Sequence, residues 1–455
     1  MTDIEIRTLE TPSLGDRSYL VHDGEVAFVV DPQRDIDRVL ELASKEGVRV
    51  THVFETHIHN DYVTGGLALA RETGAAYHVN ADDEVSFDRE PIRDGAAVAV
   101  GDRMTVRAIH TPGHTFTHLS YAVEADGSPL AVFTGGSLLY GATGRPDLLG
   151  EEHTEELTHL QHRSAQRLAE LPDATEVYPT HGFGSFCAAG SSDADLTEST
   201  IGREKTANPA LTESEEEYVR QIVEGLDVYP AYYAQMGPAN AGGPGAPDLT
   251  PPETADAEEL RRRLEAGEWL VDLRTRTAFA AGHAPGTYNF GIDGQFSTYV
   301  GWIMRWGTPI TLLGESEEQV AEAQRELARI GIDRPAARAT GKPEDWTAEE
   351  LGTFPIATFA ELADVRHHRE VVVLDVRTAS EFRDGHVEGA VNLPIHEIAD
   401  RVGDVPDGEL WVHCGSGYRS SIAASFLAAA GRRQMVMVDD EFSKAAEAGL
   451  QITTE

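Results

Sequence analysis

Two apolar runs separated by Asp23-Gly24, in the stretch YLVHDGEVAFVVDP over residues 18–31, predict two strands joined by a tight turn. The period then becomes helical. Ile36, Val39, Leu40 and Ala43 recur at a helix's spacing, with Asp35 where an N-cap would stand and Gly47 where a helix would stop. Val50 to Phe54 reads as a buried strand leading straight into Thr56-His57-Ile58-His59-Asn60-Asp61. Further apolar runs near 76–79, 104–110, 119–124 and 129–134 read as strands, with Asp126-Gly127 as a turn between the last two. Strands interleaved with helical segments predict a layered α/β fold.

The pattern lapses over residues 236–256, MGPANAGGPGAPDLTPPETAD, where small residues, Gly and Pro without periodicity predict an interdomain linker. Beyond it the chain repeats itself. Asp272-Leu273-Arg274, Gly282-His283, Gly286 and Asn289 recur as Asp375-Val376-Arg377, Gly385-His386, Gly389 and Asn392, every pair offset by 103 positions. The C-terminal half therefore reads as two copies of one α/β unit, joined through the polar stretch from Gly331 to Glu349. With 455 residues, more than one core normally organises, the expected domains are 1–235, 257–350 and 355–455.

Composition narrows the setting. The formal net charge of −40 comes from 77 acidic and 37 basic residues, and the only lysines are Lys45, Lys205, Lys342 and Lys444. Such a lysine-poor acidic surface suits concentrated salt, which screens its self-repulsion, so a halophilic setting is expected. The same field repels nucleic acid and anionic membrane, which excludes both as partners. The first residues show no basic stretch followed by an apolar one, and no run approaches the ~18 apolar residues of a membrane span. Cys187 and Cys414 are too few and too far apart for a disulfide framework, so a cytoplasmic, reducing location is expected.

The candidate chemistry sits at strand ends. His57, His59 and Asp61 follow one predicted strand, Thr111-Pro112-Gly113-His114 another, and Tyr178-Pro179-Thr180-His181-Gly182 a third. Imidazoles and a carboxylate gathered this way suit a divalent metal ion. His52, His78 and His110 lie inside predicted strands and read as hydrogen-bonded core residues.

In this order and context the residues resemble the metallo-β-lactamase superfamily over roughly residues 1–235, with its pattern HxHxDH, Gly-His, Asp and a final His. The resemblance implies an αββα sandwich followed by two further α/β domains. More narrowly, THIHNDYVTGG, TPGHT, the stretches FTGGSLL and GRPDLL, and STIGREKTANPAL look like the branch fused to rhodanese domains and related to persulfide dioxygenases. That branch implies one iron, bound by two histidines and an aspartate, and oxidation of a low-molecular-weight thiol persulfide to sulfite with dioxygen. His57 and His114 match the two histidines. Tyr62 stands where the superfamily has its second-site histidine, and Gly136 where it has its aspartate. Loss of both argues against a dinuclear hydrolase that relies on a metal-bridged hydroxide.

His57, His59 and His114, with Asp61 and His181 nearby, can still hold one ion, and dioxygen chemistry favours Fe(II) over Zn(II). His59 or Asp61 would replace the missing aspartate, or water or substrate sulfur would complete the shell. A non-catalytic metal domain and a single-zinc thioester hydrolase are the alternatives. Arg145, in GRPDL, offers a bidentate fork for a substrate carboxylate or else an ion pair with Asp147. Cys187 reads as a small buried thiol. The resemblance also implies glutathione or another small thiol as carrier, and a homodimer.

Leu410 to His413 forms a predicted strand that feeds Cys414-Gly415-Ser416-Gly417-Tyr418-Arg419-Ser420 and then an apolar helix from Ile422 to Ala430. Loop N–H groups, the helix N-terminus and Arg419 would all stabilise a thiolate or a sulfur anion, which makes Cys414 the expected nucleophile. Together with LDVRTASEFRDGHVEGAVNLP, this resembles the rhodanese family over about 355–455, with Gly415, Ser416, Gly417 and Tyr418 cradling the sulfur. Arg419 follows Cys414 by five positions, one fewer than in a phosphatase loop, giving a tighter cradle suited to sulfane sulfur passed to or from sulfite or thiosulfate. In the first copy, Ile310 to Leu313 run into Gly314-Glu315-Ser316 with no thiol, so that copy reads as a spacer or docking surface. Its Asp272, Arg274 and His283 read as fold-stabilising contacts. The leading expectation is a persulfide dioxygenase coupled to sulfur transfer through Cys414.

Overall fold

Alternation of side chains along the strands decides which layer each residue joins. In the computed structural model, which describes residues 4–125, 127–189 and 196–454, Tyr19, Val21, Phe28, Val30 and Phe54 face inward onto Val106, Ala108, Tyr121, Val123, Ala131 and Phe133. Their neighbours Leu20, Ala27, Val29 and Val53 face the other way and bury Val39 and Ala43 of the helix Asp37–Glu46 and Leu67 and Ala70 of the helix Gly66–Thr73. A period of two thus loads both faces of one sheet, as a sheet covered on both sides requires.

That sheet runs in the order β1 (Glu5–Thr11), β2 (Asp16–His22), β3 (Val26–Val30), β4 (Arg49–Phe54), β5 (Ala76–Asn80) and β6 (Glu90–Ile92). Its first three strands pair antiparallel and its last four are parallel. The facing sheet contains β7 (Ala97–Val100), β8 (Met104–His110), β9 (Leu119–Ala125) and β10 (Ser128–Gly135), then β12 (Glu176–Pro179) and β14 (Ser199–Thr200), past the small pair β11 (Thr143–Gly144) and β13 (Ala188–Ala189). The helix Thr154–Leu168 covers its outer face through Ala165 and Leu168. This is the expected αββα sandwich, and full burial of each inward Phe contributes about 2–3 kcal/mol.

The strand positions match those predicted from the apolar runs, although Asp126 of the expected turn lies outside the described residues. Two details differ. The helix after β3 is preceded by Ile36 with no side-chain cap, and Asp35 instead pairs with Arg329 at 2.7 Å. The expected linker begins as a helix, Tyr233–Gly242, because its Asn240 is buried and polar-bonded: Nδ2 donates to the carbonyls of His59 and Tyr62, both at 2.8 Å, and Oδ1 accepts from the Thr64 N–H at 2.9 Å. The first compact unit accordingly spans Met1–Asp248, with Ala328–Gly331.

The second unit, Leu249–Leu327 with Ile332–Glu455, contains two parallel sheets. One pairs β15 (Trp269–Asp272), β16 (Tyr288–Asn289), β17 (Ile310–Gly314) and β18 (Ala337–Thr340). The other pairs β19 (Ile356–Ala357), β20 (Val372–Asp375), β22 (Val391–Asn392), β23 (Leu410–His413) and β24 (Met435–Val438), while β21 (His386–Val387) joins β25 (Ile452–Thr453). The polar stretch expected to join the copies holds β18, whose Ala337 and Ala339 are buried in the first copy's core. The sequence repeat is a repeat of contacts. Arg274 Nη2 donates to Asp272 Oδ2 at 2.6 Å and to the Gly282 carbonyl at 2.8 Å; Arg377 does the same to Asp375 at 2.6 Å and to Gly385 at 2.7 Å. Asn289 and Asn392 each bond the carbonyls on either side of those braces.

Replacing Asn240 by Ala leaves two carbonyls and one N–H buried without their partner. Unfolding of the first unit in urea is expected to lose about 3 kcal/mol, well above the ±0.5 kcal/mol of an ordinary surface substitution.

Candidate metal centre and thiol loop

Parallel strands end on one side of a sheet, and the first polar residues beyond those ends meet there. Asp31 follows β3, Thr56 and His57 follow β4, His114 follows β8, Gly136 follows β10, and Thr180 and His181 follow β12. Asp16, the first residue of the antiparallel β2, arrives at the same end. Every one of these polar side chains is buried.

His57, His114 and His181 each offer one ligand atom within 4.8 Å of the others. The rings sit 4.7, 5.3 and 5.4 Å apart by pairs of centroids, and His57 Nε2 lies 3.4 Å from His181 Nε2. Each distal nitrogen is tied elsewhere. His57 Nδ1 meets Thr56 Oγ1 at 2.9 Å; because that hydroxyl donates to Asp31 Oδ2 at 2.7 Å, it accepts from the ring, and Nε2 carries the lone pair. His114 Nδ1 donates to the Arg145 carbonyl at 2.8 Å, and His181 Nδ1 faces Asp16 Oδ1 at 2.9 Å and Asp61 Oδ2 at 3.1 Å. An imidazole held at Nδ1 by an oxygen, with Nε2 converging on its neighbours, is how histidine ligands are oriented.

The protonation states of two of the three rings suit a cation as they stand. Burial, with neighbouring His59 and His114, pushes the His57 imidazole well below the usual range, and burial with His181 takes His114 down to about 3, so both rings are neutral. Burial also opposes charge on His181, but Asp61 and Asp16 outweigh it and hold the ring well above its usual range. His114 Nε2 and Asp61 Oδ1 are buried without a hydrogen-bond partner. The donor set and these orphaned atoms fit a divalent ion.

His59 is placed differently from its neighbours. Its Nε2 lies 3.1 Å from Glu55 Oε2, 3.3 Å from Asp31 Oδ1 and 3.0 Å from the Tyr62 hydroxyl, whose ring stacks on it at 4.3 Å. Burial lowers its affinity for a proton, but Asp31 and then Glu55 raise it to about 9, so this nitrogen is engaged as an imidazolium. Nδ1 remains without a partner, and His59, Asp61 and His181 form a second triad of potential ligand atoms within 4.8 Å. Tyr62 therefore does more than omit a ligand, since its hydroxyl helps hold His59 toward the carboxylates.

Gly136 is no simple gap either. A Cβ built there would lie 2.3 Å from His114 Cδ2 and 2.9 Å from its Nε2. The backbone has closed on the imidazole, and the Gly136 N–H donates to His118 Nε2 at 3.1 Å. His118, whose Nδ1 pairs with Thr111 Oγ1 at 2.9 Å, is spent on that support. Sequence reasoning missed His118, Asp31, Glu55, Thr56 and Asp16 as parts of this centre.

Arg145 is not available to a substrate carboxylate. Its guanidinium is taken by Asp147 at 2.6 and 2.7 Å, by the Asp227 carbonyl at 2.5 Å and by the Phe186 carbonyl at 3.3 Å. Its role at the centre is the carbonyl that orients His114. Cys187 is buried as expected, and burial followed by the charges of Asp61 and Asp16 pushes its thiol well above the usual range.

In the second unit, Cys414 sits at the end of β23 and is buried; the Gly417 N–H donates to Sγ at 3.2 Å, and the thiol in turn donates to Ser420 Oγ at 3.8 Å. Gly417 has φ +99°, a conformation that favours glycine, and opens the helix Tyr418–Ala429. The Gly415 carbonyl accepts from the Phe442 N–H at 2.9 Å, and Ser416 is exposed. Arg419 does not bond the sulfur: it forms a two-pronged pair with Glu381 at 2.6 and 2.8 Å, which spends its charge beside the loop. In the first copy the equivalent loop is filled, because Gln319 Oε1 accepts from the Glu315 N–H at 2.7 Å while its Nε2 donates to the Leu273 carbonyl at 3.3 Å.

Comparison with known proteins bears on both units. Residues 17–181 match the metallo-beta-lactamase superfamily and residues 358–448 match the rhodanese-like domain. A hydroxyacylglutathione hydrolase of Rhizobium johnstonii is 31% identical over 248 residues, which is 49% of this chain and 91% of that protein. One from Maricaulis maris is 30% identical over 242 residues, 46% of this chain and 88% of that protein. The crystal structure of a metallo-beta-lactamase from Staphylococcus aureus subsp. aureus COL superposes with a TM-score of 0.66 at 26% identity, covering 75% of this chain and all of that one. That coverage extends past the first unit.

Chelated protein reloaded with Fe(II), Co(II) or Zn(II) is expected to hold about one tightly bound ion per chain, and His57→Ala, His114→Ala or His181→Ala to weaken binding by about 100-fold or more, read by elemental analysis after desalting. Gly136→Asp should not add a ligand. The new side chain must enter the His114 ring, at a cost of about 2–3 kcal/mol in unfolding, together with weaker metal retention.

Proposed function

The chain belongs to the metallo-beta-lactamase superfamily, and from that membership we propose that it oxidises the sulfane sulfur of a small thiol persulfide at His57, His114 and His181, and carries such sulfur on Cys414 of its rhodanese-like domain. The observation that carries this reading is the convergence of three oriented imidazoles beside Gly136, where His114 occupies the space a carboxylate bridge to a second ion would need. A ferrous ion bound there would supply open positions and redox chemistry for dioxygen.

The overall reaction, R–S–SH with dioxygen and water giving R–SH, sulfite and two protons, passes four electrons from the outer sulfur to dioxygen. The chain's own residues set the stage for it. Asp31, through Thr56, fixes the His57 ring, the Arg145 carbonyl fixes His114, and Asp16 with Asp61 fixes His181. Preorganised donors lose no orientation when the reaction begins. Asp61 stays ionised, because His181 beside it outweighs the effect of burial, and its carboxylate holds the Nδ1 side of that ring.

At the second site, Cys414 Sγ attacks the outer sulfur of a persulfide. A new S–S bond forms as the donor's bond breaks, and the departing thiolate takes a proton from solvent. The Gly417 N–H stabilises charge on Sγ. Sulfite then attacks the carried sulfur, leaving thiosulfate and free Cys414. The thiol carrier is a low-molecular-weight species such as glutathione.

Thioester hydrolysis is the second reading, favoured by the name borne by the curated relatives and by the adjoining His59, Asp61 and His181 triad that shares His181. One experiment separates them. Iron-loaded protein given glutathione persulfide is expected to consume oxygen and release sulfite, with His57→Ala reduced to background; uptake no greater than that of His57→Ala, together with thiol release from a hydroxyacylglutathione, would replace the oxygenase reading by the hydrolase. Cys414→Ser should abolish sulfur transfer to sulfite and leave oxygen uptake intact.

A further inference from the structure

The first rhodanese-like copy lacks a thiol, and its own loop is filled by Gln319. Its contacts with the second copy, however, fall on Gly417, Tyr418 and Ser421 of the thiol loop and helix start and on Asp439 beside them. Tyr418 Oη donates to the Gly291 carbonyl at 2.8 Å, and the Tyr418 ring packs so closely on Gly294 that a Cβ there would lie 2.3 Å from Cε2. Ser421 Oγ donates to Asn289 Oδ1 at 2.6 Å, with both residues buried. Arg276 Nε donates to Asp439 Oδ1 at 2.7 Å, and that pair lies directly against Gly417: a Cβ on Gly417 would meet Asp439 Oδ1 at 2.1 Å and Arg276 Nε at 3.0 Å. Gly417 is the residue whose N–H reaches Cys414 Sγ.

The repeat makes the specialisation visible. At the offset of 103 residues, the braces shared by both copies coincide, as with Asp272 and Asp375 or Asn289 and Asn392, whereas Arg276, Gly291 and Gly294 are matched by Ala379, Pro394 and Glu397. Asn289 apart, the residues that meet Gly417, Tyr418 and Asp439 are ones in which the copies differ. Spacers do not need a glycine under a partner's tyrosine.

We propose that the cysteine-less copy is a positioning element for sulfur transfer: Arg276, Gly291 and Gly294 clamp Gly417 and Tyr418 so that the Gly417 N–H stays aimed at Cys414 Sγ. Arg276 and Gly294 act through the loop and touch no reacting atom. The proposal rests on the sulfur-transfer reading of Cys414, and it predicts a loss in turnover more than in binding, since what is displaced is the donor that meets charge on sulfur as the S–S bond is exchanged.

The test uses the full chain carrying Arg276→Ala, Gly294→Ala, Tyr418→Phe or the conservative Arg276→Lys. Thiosulfate-to-cyanide sulfur transfer is expected to fall about tenfold in kcat for the first three, with KM within about twofold, and to recover largely in Arg276→Lys. Hydrogen exchange in the same proteins should quicken over residues 414–421 while the β20 and β23 amides keep the parental rate. Parental kcat and parental loop exchange in all three variants would overturn the clamp, as would exchange rising equally across the whole second copy. A parent protein that transfers no sulfur would remove the proposed activity of Cys414 instead, and the exchange pattern would still decide whether the first copy holds the loop.

Discussion

The centre of the first unit depends on one buried carboxylate. Asp31 accepts from the Thr56 N–H at 2.7 Å, from Thr56 Oγ1 at 2.7 Å and from Thr180 Oγ1, and it faces His59 Nε2 at 3.3 Å. Burial alone would raise its carboxyl, but the His59 imidazolium outweighs burial and holds it below the usual range. Through these bonds one side chain joins the ends of β3, β4 and β12, and so sets the spacing of His57 and His181. Asp31 occupies the left-handed region at φ +50°, the one described non-glycine residue that does so, and such strain costs about 1 kcal/mol or more unless the surroundings hold it. Three donors from two other strands are what hold it.

Much of this was legible in the sequence because the fold has a strict grammar. Runs of alternating apolar residues located the strands, and clusters such as His57-Ile58-His59 at their ends located the chemistry. The supporting residues were not legible for a physical reason: each is a single side chain whose partner is remote in the chain. Asp31 works with Thr180 and Asp16 with His181, contacts spanning 149 and 165 positions, and no local spacing encodes them. The available signal was position, since Asp31 and Glu55 are the first acidic residues after buried strands. The helix Tyr233–Gly242 was hidden differently. Its two Gly, Pro238 and Asn240 weaken helical propensity despite the alanines, and tertiary bonds from Asn240 to the loop after β4 offset that weakness.

Arg145 and Arg419 illustrate a second limit of motif reading. Both stand where a guanidinium could meet an anionic substrate, yet both are committed to carboxylates of the same chain, Asp147 and Glu381. In a protein with 77 acidic and 37 basic residues, a buried arginine meets a carboxylate readily. A desolvated guanidinium gains more from a two-pronged internal pair than from waiting for a ligand. What remains for substrate at the thiol loop is the backbone: the Gly417 N–H and the start of the following helix.

Gly136 shows why a missing ligand cannot be read as a simple deletion. Gly135, Gly136 and Gly144 all lie where an added Cβ would come within 3 Å of His118, Thr56 or His114. Three glycines let two backbone segments close on the imidazoles, and the chain then bonds across the gap, with the Gly144 N–H donating to the Gly136 carbonyl at 2.8 Å and Gln161 Nε2 donating to it at 3.2 Å. The volume an aspartate would need is filled by main chain and by the His114 ring. Restoring the carboxylate therefore means rebuilding several packed neighbours together, because a packed site changes by sets of residues and resists single replacements. By the same argument the centre has to be judged on the donors that this packing brings together, and those are His57, His114 and His181, with His59 held aside by Tyr62, Glu55 and Asp31.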